Sequence, residues 1–162
     1  MATVNKVIGG KKLSLALGAL EKKITSGGVL RVGFLENAKY PAKPPSKRSK
    51  ANNAQPLNVA TVAFWNEFGT SRSPSRPFFR NTIKRESPMW GEKLGKAVIA
   101  TGYNGEAALR LLGQSVRDDI ESEIAQWPAD NAKSTEAAKG FNKGLVDTGV
   151  MQRAVDYEVV KS

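Results

Sequence analysis

Glu67 is the carboxylate this sequence most clearly singles out for chemistry. It lies between Trp65 and Phe68 in the stretch Val62-Ala-Phe-Trp-Asn-Glu-Phe-Gly-Thr70. A glutamate among apolar neighbours can serve as acid or base, but it needs a second carboxylate or a water-activating group within reach. The spacing supplies neither. Arg72, Arg76 and Arg80 follow it, and a pair with one of them would tie a helix end to its loop. Asp118 and Asp119 with Glu121 and Glu123 have the residue types of a cation site. Adjacent residues on a helix point in different directions, so this cluster reads as a solvated face. Gly9-Gly10-Lys11-Lys12 has neither the glycine spacing nor the following Ser/Thr of a phosphate loop. Arg76-Pro-Phe-Phe-Arg80 mixes cation and aromatic as single-strand binders do. The same pattern arises when Phe enters a core and Arg stays outside.

Asp147-Thr148-Gly149, preceded by Leu145-Val146, has the form of an aspartyl hydrolase tripeptide. Such a site needs a second Asp to share its proton and further strands to build a groove. Thirteen residues after Gly149 do not provide them, whereas Asp147 or Thr148 as the cap of a short helix explains the same letters. The chain has no cysteine and no histidine. That excludes disulfides, thiolate sites, and the commonest general base and metal ligand. No constellation supports an enzyme, and no cofactor or metal is expected.

The elements that position these residues follow from periodicity. Leu13, Ala16, Leu17, Leu20 and Ile24 predict an amphipathic helix from about Lys11 to Thr25, after a loose arm over residues 1–10. Leu30, Val32 and Phe34 alternate in a strand from Val29 to Leu35. Residues 36–56 hold four prolines together with Lys39, Lys43, Lys47, Arg48 and Lys50, and predict a basic loop. Leu57 to Phe68 reads as a central helix stopped by Gly69, where the absence of a Cβ permits a left-handed closure. Pro74 and Pro77 stiffen the loop that follows. Of six Phe and three Trp, five (Phe64, Trp65, Phe68, Phe78 and Phe79) fall in this window, so it is expected to supply much of the core.

A further helix runs from near Arg80 to Ile99, with a break expected at Ser87–Pro88. Ala108, Leu112, Val116, Ile120 and Ile124 form a four-residue ridge on a helix from Gly105 to Gln126. Residues 129–143 read as a flexible loop with a helical turn around Ser134 to Lys139. A short helix to Ala154 and a terminal strand with Val155, Tyr157 and Val159 on one face complete the chain, and that strand is suited to pair with Val29–Leu35. The reading is one domain over residues 1–162 of α+β class, with several helices packed on a small antiparallel sheet and long flexible loops.

The formal net charge is +10, which favours an acidic partner or a nucleic-acid surface. No apolar run reaches the roughly 20 residues of a membrane helix, and no targeting signal is read.

The ordered set Ala-x-x-x-Glu67-Phe68-Gly69-Thr70, Arg76-Pro77-Phe78-Phe79-Arg80 and Gly144-Leu-Val-Asp147-Thr148-Gly149 resembles the tail-completion and head–tail joining proteins of tailed bacteriophages. That family is also described as minor tail protein Z-like or phage morphogenesis protein. The order of parts is similar over most of the chain. The Pro/Lys/Ser/Asn segment before the central helix departs from it. The resemblance implies a structural virion protein of the neck, completing the tail or joining it to the head connector. It implies a ring, a hexamer, around the DNA passage, assembled in the host cytoplasm. Its partners would be further copies of itself, the head connector or adaptor, and tail terminator or tail tube proteins. The motif residues would then serve subunit contacts, and Lys39, Lys43, Lys47, Arg48 and Lys50 would face DNA without sequence preference. The alternative is a basic nucleic-acid-binding module outside any virion, although no DNA-binding motif supports it.

Overall fold

Apolar ridges on helices need a partner surface, and here that surface is a two-stranded sheet. The computed structural model describes residues 10–25, 27–34, 38–41 and 56–161. Along them run α1 (Gly10–Thr25), β1 (Val29–Phe34), α2 (Val59–Phe68), α3 (Phe78–Ala100), α4 (Gly105–Gln126), α5 (Lys133–Lys139), α6 (Val150–Arg153) and β2 (Val155–Val160). This is the expected α+β arrangement of helices on an antiparallel sheet.

β1 and β2 pair antiparallel with Leu30 opposite Val159, Val32 opposite Tyr157 and Phe34 opposite Val155. The alternating apolar residues of both strands therefore share one face. α4 covers that face. Its ridge Ala108, Leu112, Val116, Ile120 and Ile124 is buried throughout. Ile120 and Ile124 are completely enclosed, each contributing about 1.5–3 kcal/mol by leaving water. Asn104 starts α4 by accepting the Ala107 N–H at 3.0 Å.

α3 packs along α4 as the other half of a helical hairpin. The expected break at Pro88 does not occur, and α3 is continuous across it. Pro88 and Lys84 both lie on the exposed side, so the carbonyl left without an N–H partner can face water. Beyond the proline, the helix is held by half-buried Trp90 and Leu94. Ion pairs of Arg85 with Glu123 (2.8 Å) and Lys93 with Asp119 (3.1 Å) hold it from the outside.

Two other expectations are corrected, at Ala38–Tyr40 and at the start of α6. The seam of α1 is largely uncovered: Leu13, Leu17 and Ile24 are all exposed, because the helix meets the body mainly at its C-terminal end on α4. Ala38–Tyr40, expected within a loop, fold back on the start of α2. There Tyr40 donates to the Leu57 carbonyl, Val59 donates to that of Ala38, and both Ala38 and Tyr40 pack on the core. Residues 129–143 carry α5 at the helical turn expected around Ser134 to Lys139, and Asp130 ties the segment to Arg76. α6 is entered through Gly149 in a left-handed conformation, with no side-chain cap from Asp147 or Thr148.

The expected arm over residues 1–9 lies outside the described residues, as do Lys43, Lys47, Arg48 and Lys50. Among the described residues, no helix is long and apolar enough to cross a membrane.

Candidate functional site

The signature stretch folds into a clamp between α2 and α3. Asn58 opens α2 by accepting the Ala60 N–H at 2.9 Å. Gly69 closes it at φ 79°, its N–H donating to the Trp65 carbonyl. A Cβ there would also lie 2.9 Å from the Ser75 nitrogen, so both conformation and space require glycine. The loop then turns over Gly69. The Thr70 hydroxyl accepts from the Arg72 and Ser73 N–H groups, and the Ser75 hydroxyl donates to the Glu67 carbonyl at 2.7 Å. Arg76 donates its N–H to the Asn66 carbonyl. Pro77 sits at the N-cap position of α3 with no side chain able to cap.

Glu67 supplies the missing cap from the neighbouring helix. Its buried carboxylate accepts the backbone N–H of Phe79 at 2.9 Å and of Arg80 at 3.2 Å. The Arg80 guanidinium donates to the same group at 2.7 Å, and also reaches the Glu67 carbonyl. A carboxylate at the start of a 23-residue helix meets unpaired N–H groups and the positive end of the helix dipole. Each of its oxygens is thus engaged, and among the described residues no second carboxylate joins it in a cluster. Of the three arginines expected as partners, Arg80 is the one that pairs with it. Its charged group stacks 4.8 Å from the Phe68 ring.

Arg76 is buried, against the expectation that both arginines stay outside. It donates through Nε to Asp130 at 2.7 Å, and Trp127 donates to the same oxygen. This pair bolts the loop to the chain after α4. Gly144 lies directly over it: a Cβ there would run into the Asp130 carboxylate and come within 2.9 Å of Arg76 Nε. The first glycine of the Gly144–Gly149 stretch is thereby explained by packing.

Asp147 and Thr148 are exposed. The Thr148 carbonyl accepts from Arg153 at 3.0 Å. Asp147 lies near Tyr40, whose phenol is pushed above its ordinary pKa by burial and then by this carboxylate. The acidic residues of α4 are spread over ion pairs with Lys93, Arg85 and Arg117. Among the described residues, no three acidic or metal-ligating side chains converge.

The aromatic window divides. Phe78 is enclosed, edge-on to Phe34, and Phe79 is half-buried beside it. Phe64, Trp65 and Phe68 face outward with 59%, 42% and 53% of their surface exposed, contrary to the expectation that they fill the core. The reason is helical phase. Val59, Ala63 and Glu67 repeat at four-residue steps on the buried side of α2, which leaves 64, 65 and 68 to the other sides. Phe64 and Phe68 wall an open groove of about 260 Å³, shared with Gly33, Phe34, Phe79 and Arg80. Nothing in the residue types marked these rings as outward-facing; the four-residue step ending at Glu67 was the available signal.

The arrangement can hold two helices at a fixed angle and offer an apolar, aromatic groove beside them. Comparison with protein-family models, curated proteins and solved structures finds no match to this chain.

Proposed function

We propose that this protein is a structural component of the phage neck, completing the tail or joining it to the head connector as a ring around the DNA passage. The observation that carries the reading is the division of labour in the signature stretch. Glu67, Gly69, Thr70 and Arg76 hold α2 against α3. Phe64 and Phe68, on the same rigid helix, remain open to a partner. Contiguous exposed apolar surface of this kind marks association sites. Positioning by shape needs no turnover, which fits a site whose one buried carboxylate is fully occupied. The sequence resemblance supplies the identity of the assembly, and the groove supplies a surface for it.

The test is purification of virions followed by labelling with an antibody to this chain. Label at the junction of head and tail is expected. Virions that carry none of the chain would overturn the proposal.

The second reading, a basic nucleic-acid-binding module, draws on the net charge of +10. Arg31, Arg76, Arg80, Arg85, Lys93, Lys96, Arg110 and Arg117 pair with carboxylates in the folded body, so the surplus charge rests on the other lysines and arginines. Affinity of the free protein for DNA that falls steeply with salt would favour it.

A further inference from the structure

Among the described residues the sheet has two strands, and so two edges. The Tyr157 N–H donates to the carboxylate of its neighbour Asp156 at 2.8 Å, so it points away from β1. Val32, opposite Tyr157, then belongs to a non-hydrogen-bonded pair. By the same alternation Leu30, Val32 and Phe34 turn their backbone N–H and C=O groups outward from β1. Among the described residues no third strand takes them up.

That edge runs into the aromatic groove. Gly33 and Phe34, at the end of β1, line it together with Ala60, Ala63 and Phe64 of α2. A cleft lined by a strand edge and a helix suits an extended segment that joins the sheet as a further strand.

The side chains decide which segment fits. An added strand sends alternate residues to the side of Val32 and Phe34, and the rest to the side of Arg31. The first set meets the groove, whose lining is apolar apart from Arg80 and the already paired Glu67. The second set meets the exposed Arg31, and opposite charges across strands stabilise the pairing. The net charge of +10 favours the same acidic partner at longer range. The chain's own strands fit less well. The outer edge of β2 is closed at Tyr157 by Asp156, and two β1 edges would place both Arg31 cations on one face.

We propose that the β1 edge and the Phe64–Phe68 groove bind, by strand addition, an extended segment of another protein in which apolar and acidic residues alternate. This rests on the reading of the groove as a contact surface and adds the chemistry of the partner.

The test uses the full-length chain, isotope-labelled for NMR, and the probe peptide acetyl-Val-Glu-Phe-Glu-Val-amide. It is compared with the same peptide carrying Lys for Glu, and with a version N-methylated throughout. The Glu peptide is expected to shift the amides of Leu30, Val32 and Phe34 and to slow their exchange. The Lys peptide should bind about tenfold more weakly, and Arg31→Ala should narrow that gap. Phe64→Ala should weaken binding by about tenfold, and N-methylation should abolish it. No shift at these three amides at millimolar peptide would overturn the proposal. Undiminished binding of the N-methylated peptide would remove strand addition, and equal binding of the Lys and Glu peptides would remove the acidic partner. Protection of the same amides that rises with the protein's own concentration would assign the edge to a second copy, and would also overturn it. A failure here leaves the neck reading to be decided separately by the virion label.

Discussion

The carboxylate of Glu67, at the end of one helix, accepts the backbone N–H of Phe79 at 2.9 Å, in the first turn of the next. A side chain twelve residues upstream thus performs the task that a residue at the N-cap position usually performs for itself. Pro77 occupies that position and cannot do it.

Removing that carboxylate should cost stability directly. Glu67→Ala leaves two helix-start N–H groups without their acceptor and withdraws the partner of Arg80. Cap loss and an unsatisfied buried donor together set an expected cost of about 2–4 kcal/mol. Glu67→Gln keeps one acceptor oxygen and should cost about half as much. Urea denaturation measures both, and a change below about 0.5 kcal/mol for Glu67→Ala would show the clamp to be dispensable.

Gly144 and Asp130 should be coupled. Asp130→Ala leaves Arg76 buried without its counter-charge, at an expected cost of about 3 kcal/mol. Gly144→Ala pushes a methyl group into the same pair, at about 1–3 kcal/mol. Because the Asp130 carboxylate is what that methyl meets, the double variant should be more stable than the sum of the single costs predicts. Additive costs in a double-mutant cycle would place the strain elsewhere.

The phenylalanines should separate into two classes. Phe78→Ala empties an enclosed site and should cost about 3–5 kcal/mol. Phe79, half-buried, should cost less. Phe64→Ala should fall within about 0.5 kcal/mol in stability while weakening binding at the groove. Equal destabilisation at 64 and 78 would mean that the outward face of α2 is covered within the monomer.

Alkaline pH should weaken the fold through Tyr40. Its folded pKa is raised, chiefly by burial and then by Asp147. The stability tied to its neutral form is therefore intact below the unfolded tyrosine value of about 10, and is lost as pH rises through the higher folded value. Tyr40→Phe should flatten the alkaline limb of a stability–pH curve. An unchanged slope would remove Tyr40 from the account.

Much of this fold is legible in the residues because period and burial agree. The ridge from Ala108 to Ile124 has one possible inner side, and the alternation in β1 and β2 fixes the sheet face. The clamp was half legible. Glu67 with a following arginine predicts an ion pair, but capping α3 through Phe79 and Arg80 depends on how the Gly69–Pro77 loop folds back. Composition misled at Phe64, Trp65 and Phe68, since large rings suggest a core when hydrophobicity alone is weighed. The same holds for Leu13 and Leu17, whose seam specifies a helix-packing surface and leaves open which chain supplies the other half. Pro88 suggested a break because local propensity carries no information about the packing of α3 on α4.

The proposed joining or completing role in the phage neck is tested by electron microscopy of lysates from a phage lacking this gene. Separate full heads and tails are the predicted result, with joined particles restored by the wild-type chain and not by Phe64→Asp. Intact, infectious particles in the absence of the gene would contradict it.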